Sequence, residues 1–245
     1  MSDAAAARRE LDRLLEADAP ALRASLPPGF ADAAERYVAL LLEANARINL
    51  TRIVKPAAVA RLHLLDALSA LPLLDQLAPA RALDLGSGGG VPGIVLALAR
   101  PPVAWTLVDS VGKKADALRG FVAALGLTNV SVVAERAETL GRDEAHRAGY
   151  DLVTARACAP LPVLAEYALP LARLGGAVVA WKGAIDDREL AGGHAAAGQL
   201  GGLLEVREAG MPTLGDHRFV IIRKVDATPD RFPRRPGQAA KRPLA

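Results

Sequence analysis

The chemistry that this sequence can support is concentrated in one glycine-rich stretch, DLGSGGGVPGI at 84–94. Four glycines lie within residues 86–90, just after Asp84, and Gly93 follows them at the start of an apolar run. Glycine loses more backbone freedom on folding than any other residue, so a cluster of glycines marks a sharp bend or the close approach of another molecule. The stretch therefore predicts a ligand bound against the backbone of a loop.

Two classes of ligand fit the glycine-rich stretch. Gly88, Gly90 and Gly93 satisfy G-x-G-x-x-G between a predicted strand and a predicted helix, which is typical of dinucleotide sites that hold a pyrophosphate at the helix N-terminus. Asp84, with glycine at alternate positions after it, instead resembles motif I of the class I S-adenosylmethionine-dependent methyltransferases, whose cofactor carries no phosphate. Asp109, at the end of the next predicted strand, can accept hydrogen bonds from the ribose hydroxyls of either ligand. These residues predict an adenosine-type ligand without choosing between the two.

Composition bounds the class of protein. The chain has 245 residues, of which 51% are hydrophobic and 23% are charged, as expected of one globular α/β core with an appendage. A single cysteine, Cys158, excludes an internal disulfide, and four scattered histidines argue against metal chemistry. Charge or proline interrupts every long apolar run, and acidic residues stand near the start, where a signal peptide would be basic. We expect a cytoplasmic protein with no membrane partner.

The elements that must position the glycine-rich stretch change in type near Arg81. Before that residue, helical patterns cover about 4–17, 31–48 and 56–74, and Pro56 suits a first helical turn. After it, short β-type runs alternate with helical patterns. The helical patterns begin near Pro92, Val111, Arg136 and Pro160. The β-type runs are RALDL, AWTLVD, VSVVA, YDLVTA, GAVVAW, GLLEVREA and HRFVIIRKV.

This alternation predicts an α/β fold with a mostly parallel sheet and helices on both faces. The last two β-type runs have too little between them for a crossover helix, so they predict an antiparallel pair at the sheet edge. We expect a helical N-terminal extension over 1–80, a core over 81–226 and a tail over 227–245. The stretch RFPRRPGQAAKRPLA in the tail has five basic residues and no acid. It predicts a disordered segment, with a flexible arm for phosphate groups as the alternative.

Seven segments carry a more specific resemblance. In order and spacing they are similar to the bacterial small-subunit (16S) ribosomal RNA guanine-N7 methyltransferases, the glucose-inhibited division protein B family, over about Tyr37 to Val225. The segments are RINLTRI (47–53), HLLD (63–66), DLGSGGGVPGI (84–94), LVDSVGKK (107–114), ERAE (135–138), ARACAPL (155–161) and WKG (181–183). The resemblance implies a Rossmann-like class I methyltransferase fold, S-adenosyl-L-methionine as cofactor, 16S rRNA in the small subunit or its assembly intermediate as partner, and a monomer.

The resemblance also implies where the cofactor binds, at Gly86, Val91, Ala137, Glu138 and Arg156. The residue chemistry agrees, because Gly86 admits a ligand to the loop backbone and Val91 offers an apolar wall. Ala137 and Glu138 follow a predicted strand end from which an adenine edge can be read, although a solvated acid in a first helical turn is the alternative for the Glu138 side chain. The full predicted cofactor site comprises Gly86, Ser87, Gly88, Val91, Asp109, Ala137, Glu138 and Arg156.

Arg156 is also the predicted catalytic residue. It follows the run DLVTA directly, so it should stand at the carboxyl edge of the sheet and face the crevice. Its guanidinium could there bind the cofactor carboxylate, a substrate phosphate or the acceptor guanine, with a salt bridge to a neighbouring acid as the alternative.

Other residues in the matching segments have no role that their chemistry dictates. His63 and Asp66, three apart on a predicted helix, could roof the site or form a structural pair. Lys182 could reach an RNA phosphate or simply water. Cys158 lies between alanines with no base spaced nearby, which predicts a small buried packing residue rather than a nucleophile.

The resemblance implies methyl transfer to guanine N7. That nitrogen has an in-plane lone pair and no hydrogen, so the transfer needs no general base and depends on the alignment of N7 with a sulfonium methyl group. An NAD-dependent oxidoreductase is the competing enzyme, but only about sixty residues follow the fifth predicted strand, which is too few for a substrate domain. A non-catalytic, cofactor-sensing RNA-binding protein is the competing non-enzyme.

Overall fold

A computed structural model of the chain describes residues 2–244 and centres on one seven-stranded sheet. The strands are β1 (Arg81–Leu85), β2 (Ala104–Val108), β3 (Val130–Val133), β4 (Tyr150–Arg156), β5 (Ala172–Lys182), β6 (Gly202–Glu208) and β7 (Arg218–Lys224). Their order in the sheet is β3-β2-β1-β4-β5-β7-β6. The neighbours from β3 to β5 pair in parallel, whereas β7 is antiparallel to both β5 and β6. The predicted mostly parallel sheet with an antiparallel edge pair is confirmed.

The N-terminal part is helical, as predicted. Its helices are α1 (Asp3–Asp18), α2 (Pro20–Ala24), α3 (Phe30–Ile48), α4 (Pro56–Val59), α5 (Asp66–Leu68) and α6 (Leu71–Leu77), with a π-helical turn over Ala60–Leu65. The run Pro56–Leu77 is long and apolar enough to cross a membrane by composition, but 72% of its most apolar window is buried inside the fold. The run is therefore a core element of the folded chain.

The remaining helices connect the strands, except for α12, which follows the last strand. They are α7 (Gly93–Ala99), α8 (Gly112–Leu125), α9 (Ala137–Leu140), α10 (Leu161–Ala168), α11 (Asp187–Gln199) and α12 (Gln238–Lys241), and a 3-10 turn spans Pro212–Leu214. The four predicted helix starts each lie within one residue of an observed start. The sequence analysis missed α11, because three glycines within it weaken its helical pattern. Its start is fixed by Asp186, whose side chain accepts a hydrogen bond from the Glu189 N–H.

Alternate residues of β5 show how the two faces of the sheet are covered. Val179 and Trp181 pack with the N-terminal helices, α7 and α8 in one buried cluster. Val178 and Ala180 pack with α10 and α11 in a second cluster on the opposite face. The N-terminal extension is thus one of the two helical layers that bury the sheet, which leaves the carboxyl edges of the strands to form a site.

The predicted tail is ordered in the structure and covers the second face. Residues 227–244 are named here the C-terminal strap. The side chain of Phe232, which belongs to the strap, is buried and only 3% exposed. The Arg147 guanidinium donates hydrogen bonds to the carbonyl oxygens of Phe232 and Thr228, at 2.8 and 2.9 Å. The expectation of disorder rested on charge and proline content. It did not account for a strap whose carbonyl oxygens accept hydrogen bonds from the core and whose Phe232 side chain is buried there.

Candidate active site

The strand order places a crevice at the carboxyl ends of β1 and β4. The chain leaves β1 toward β2 on one side and reaches β4 on the other, and ligands of α/β sheets bind at such a reversal. A pocket lies there, and it brings together four residues of the predicted site, Gly86, Asp109, Ala137 and Glu138.

The pocket lining also contains residues that the sequence analysis did not assign to the site. They are Leu85, Val108, Ser110, Glu135, Arg136, Cys158 and Tyr167. A usable signal existed for Ser110, Glu135 and Arg136, because each stands just after the end of a predicted strand. Tyr167 lies within α10, and nothing in its local sequence marks it.

Gly86 is the point at which the loop backbone is open to a ligand. The residue is exposed and has φ of +71°, a conformation that side chains disfavour. A Cβ built on Gly86 would lie 3.2 Å from Cys158 Sγ, in the gap between the two loops. A side chain at this position would therefore narrow the pocket as well as strain the loop.

The buried carboxylate of Asp84 occupies the N-terminus of α7. Asp84 is fully buried, and its Oδ2 accepts a hydrogen bond from the N–H of Gly93, the first residue of the helix, at 3.2 Å. Its Oδ1 accepts one from Thr154 Oγ1 at 2.8 Å. Burial raises the pKa of Asp84 to about 6, so the group is mostly ionised at pH 7. A pyrophosphate at this helix end would meet a like charge, which disfavours a dinucleotide.

Ser87, Gly88 and Asp109 build the loop from within. The Ser87 hydroxyl is buried, donates to the Asp84 carbonyl at 2.8 Å and accepts from the Val108 N–H at 3.2 Å. Asp109 Oδ2 accepts from the Gly88 N–H at 3.0 Å. Of these three residues, only Asp109 lines the pocket. The structure therefore gives Ser87 and Gly88 supporting positions behind the pocket wall.

Val91 and Arg156 also lie outside the pocket lining. Val91 is buried in the cluster that contains the N-terminal helices. Arg156 turns toward those helices, where Nη1 donates to the Leu62 carbonyl oxygen at 2.5 Å and to Asp66 Oδ2 at 3.1 Å. Of the alternatives open for Arg156, the structure contains the salt bridge to an acid.

Arg156 also contacts His63. Its Nη2 lies 3.1 Å from His63 Nδ1, which is also 3.3 Å from the Leu62 carbonyl oxygen. His63 Nε2 lies 3.0 Å from Thr51 Oγ1. Burial, followed by the Arg156 charge, lowers the pKa of His63 to about 4, so the ring is neutral at pH 7. His63 and Asp66 are thus a structural pair joined through Arg156.

His217 and Trp181 complete the contacts of Asp66. His217 Nδ1 lies 2.9 Å from Asp66 Oδ1, and Trp181 Nε1 donates to the Asp66 carbonyl oxygen at 2.8 Å. Asp66 therefore joins the π-helical turn to β4, to the end of β5 and to the start of β7.

Lys182 is bound to other protein groups, and Cys158 is exposed rather than buried. Lys182 Nζ donates to Glu189 Oε1 at 2.6 Å and to the Ala159 carbonyl oxygen at 3.2 Å, so it ties α11 to the loop after β4. The prediction that Cys158 is a buried packing residue is wrong, because it is exposed and lines the pocket. Enclosure by the pocket walls, with nearby carboxylates such as Asp84, raises the pKa of its thiol to about 11. The thiol is therefore protonated at pH 7 and is a poor nucleophile.

The N-terminal layer supports the glycine-rich loop from behind. The Tyr37 hydroxyl in α3 donates a hydrogen bond to the Gly89 carbonyl oxygen at 2.8 Å. A Cβ on Gly89 would lie 2.8 Å from Leu41 Cδ1, so the loop and α3 are in close contact.

Comparison with solved structures shows the fold. The O-methyltransferase TomG from Streptomyces achromogenes, solved in complex with SAM, matches with a TM-score of 0.55 and 20% identity, over 78% of this chain and 90% of that one. An O-methyltransferase from Bacillus cereus in complex with SAH matches with a TM-score of 0.54 and 17% identity, over 77% and 90%. The chain therefore has the Rossmann-like fold of class I methyltransferases, as predicted.

Comparison of sequences shows the family. A protein named ribosomal RNA small subunit methyltransferase G from Deinococcus deserti is 44% identical over 237 residues, covering 96% of this chain and 97% of its own. One of the same name from Rubrobacter xylanophilus is 46% identical over 217 residues, covering 86% and 82%. The model of the GidB family, described as rRNA small subunit methyltransferase G, matches residues 31–207. The chain belongs to the GidB family.

Proposed function

We propose that the protein transfers a methyl group from S-adenosylmethionine to N7 of a guanine in small-subunit (16S) ribosomal RNA. Its membership of the GidB family and its methyltransferase fold support the reaction class. The observation that carries the choice of cofactor is the Asp84 carboxylate on the Gly93 N–H, because it fills the position that a dinucleotide phosphate would need.

The pocket residues fit an adenosine-type cofactor that lacks phosphate. Gly86 presents exposed backbone without a Cβ, and Asp109 faces the pocket as an acceptor for ribose hydroxyls. Ala137 and Glu138 form the wall beyond β3, where the adenine edge would lie. Held by these residues, the cofactor would supply a sulfonium methyl group to the guanine N7 lone pair. The role of this chain is then to align the two groups.

For Arg156 we propose a positioning role rather than contact with the reacting atoms. Its guanidinium holds Leu62 and Asp66 of the N-terminal layer against the end of β4. The side chain is 18% exposed and sits within a ring of acceptors, so it can fix the shape of the crevice beside the cofactor. The RNA is recognised as part of the folded small subunit or of its assembly intermediate. The enzyme acts in the cytoplasm as a monomer.

Transfer of labelled methyl groups tests the proposed reaction. Small subunits from a bacterial strain that lacks its own enzyme are incubated with this protein and tritiated S-adenosylmethionine, and the labelled nucleoside is identified after digestion. We expect label in 7-methylguanosine. Cofactor binding without any label would favour the non-catalytic RNA-binding alternative, and label in another nucleoside would contradict the choice of N7.

Calorimetry tests the proposed site. Asp109→Asn keeps one acceptor oxygen for the loop amides but removes the charge, and we expect it to weaken binding of S-adenosylhomocysteine by about tenfold, the size of one charged hydrogen bond. Asp116→Asn makes the same change on the exposed side of α8 and should bind like the parent. Equal binding by both variants would remove Asp109 from the site. Binding of NAD in place of S-adenosylhomocysteine would favour the oxidoreductase alternative.

A further inference from the structure

The C-terminal strap passes over the outside of the pocket wall. Gly237 in the strap donates its N–H to Glu138 Oε1 at 2.8 Å. Pro233 lies against Gly141, just beyond the end of α9, so closely that a Cβ on Gly141 would fall 2.9 Å from Pro233 Cγ. The strap thus contacts both ends of the short helix that carries Ala137 and Glu138.

Glu138 depends on the strap for its orientation. Its side chain is only 2% exposed, and its hydrogen bonds from Gly237 and from Arg136 Nη2, at 2.8 and 3.0 Å, both end on Oε1. Burial raises the pKa of Glu138, but the hydrogen bonds from Gly237, Arg136 and the Glu138 backbone, with the Arg136 charge, together hold the pKa below its ordinary value. Glu138 is therefore a carboxylate in the pocket wall, with Oε1 engaged from the strap side.

A second contact fixes the neighbouring wall. Glu166 in α10 is fully buried, and Arg234 of the strap donates to its Oε1 from both the backbone N–H and Nε, at 2.8 and 2.9 Å. Tyr167, the next residue, lines the pocket. A buried carboxylate is costly unless it is paired, so the position of this part of α10 depends on Arg234.

We propose that the C-terminal strap is a positioning element for the adenosine end of the cofactor pocket, acting through Gly237 on Glu138 and through Arg234 on α10. The proposal rests on the cofactor site proposed above. It assigns the strap to cofactor binding, whereas the sequence predicted a disordered segment, with an arm for phosphate groups as the alternative. The basic side chain of Arg235 is exposed and provides the comparison between these two roles.

The test compares neighbouring arginines, of which Arg234 pairs with Glu166 and Arg235 is exposed. Arg234→Gln and Arg235→Gln remove the same charge from adjacent positions of the full chain. Calorimetry should show that Arg234→Gln weakens S-adenosylhomocysteine binding by about tenfold, the size of one hydrogen bond to a charged group. Arg235→Gln should bind S-adenosylhomocysteine within about twofold of the parent, because the Arg235 charge is not part of the ion pair between Arg234 and Glu166. Equal effects of the two variants would overturn the proposal.

Kinetics separates cofactor positioning from RNA binding. Arg234→Gln should raise the KM for S-adenosylmethionine and leave the KM for small subunits unchanged. The reverse pattern would overturn the proposal in favour of an RNA-binding arm. Asp109→Asn keeps the two proposals distinguishable, because weak binding by Asp109→Asn with normal binding by Arg234→Gln would overturn only the role of the strap. Unchanged binding by Asp109→Asn would instead contradict the proposed cofactor site.

Hydrogen exchange on the unmodified protein gives a test that does not depend on the folding of a variant. If Glu138 links the strap to the cofactor, ligand binding must stabilise the strap in return, since coupling between two sites is reciprocal. Saturating S-adenosylhomocysteine should slow amide exchange in peptides that contain Gly237 by a larger factor than it slows exchange in α1. Exchange at Gly237 that does not respond to the ligand would overturn the proposal.

Discussion

Arg156 and Asp66 form an ion pair between the end of β4 and the N-terminal helical layer, with Nη1 3.1 Å from Oδ2. The two residues are 90 positions apart in the chain, and their side chains are 18% and 5% exposed. Because both groups are largely removed from water, the pair fixes one relative position of the two layers at the edge of the crevice.

Substitution of Arg156 should therefore lower the free energy of unfolding by more than substitution of an exposed arginine. Arg156→Gln leaves the Asp66 carboxylate buried with fewer donors, and we expect the free energy of unfolding in urea to fall by about 3 kcal/mol. Arg119→Gln breaks a pair with Asp116 whose side chains are 48% and 74% exposed, and it should cost less than about 1 kcal/mol. Equal losses would show that the buried pair does not hold the layers together.

The positioning role of Arg156 predicts that its partner has the same kinetic effect. Asp66→Asn and Arg156→Gln should both lower kcat. Both should change the KM for the cofactor little, because neither residue lines the pocket. Loss of cofactor binding in Arg156→Gln alone, measured by calorimetry, would instead assign Arg156 to the cofactor carboxylate.

His63 should make the protein less stable in mild acid. Its pKa is about 4 in the folded protein against 6.5 for an ordinary histidine, so the unfolded chain binds more protons between those values. The free energy of unfolding contributed by this group is fully present above pH 6.5 and falls by up to about 3 kcal/mol as the pH approaches 4. His63→Gln should flatten this part of the stability profile in urea unfolding series, whereas His194→Gln, on the exposed side of α11, should retain it.

Two helical glycines should respond oppositely to alanine. A Cβ on Gly93 would overlap Leu107 Cδ2 and lie 2.8 Å from Asp84 Oδ2, so Gly93→Ala should lower the free energy of unfolding by about 2 kcal/mol. Gly120 lies within α8 with nothing within 4 Å of a built Cβ, so Gly120→Ala should raise it by about 0.5–1 kcal/mol. Urea unfolding measures both, and a stabilised Gly93→Ala would contradict the packing described for the loop.

Cys158 offers a chemical probe of the pocket. It is the single cysteine of the chain, and its raised pKa, about 11, predicts slow alkylation at pH 7.5. Saturating S-adenosylhomocysteine should slow that reaction further, because Cys158 lines the pocket beside Gly86. Mass spectrometry of the modified protein over time measures the rate. A rate that the ligand leaves unchanged would place the ligand away from Cys158.

The places of the strands along the chain and most helix starts could be predicted from the sequence, because most strands are short runs rich in apolar residues that lie next to turn signals. Glycines within α11 concealed that helix, and the composition of the strap concealed its packing. In the strap, the decisive features are single pairs such as Arg234 with Glu166, which join residues 68 positions apart. No local pattern reports a contact of that kind.

The residues of the site likewise include some that the sequence predicted and some that it did not. Gly86, Asp109 and Ala137 lie at strand ends, and topology alone brings strand ends together. The direction of the Arg156 side chain depends on acceptors in the π-helical turn, and the exposure of Cys158 depends on how the loop after β4 folds. These are properties of packing between layers, so the sequence predicted that Arg156 lies at the end of its strand but not its contacts, and it did not predict the exposure of Cys158.

The hydrogen bond from Tyr37 to the Gly89 carbonyl has a thermodynamic consequence. The loop that meets the ligand on one side is held on the other by a helix from the first fifty residues of the chain. Melting of the N-terminal layer would therefore release the loop, and the two parts should lose structure together. We expect a single calorimetric transition, which S-adenosylhomocysteine moves to higher temperature as a whole.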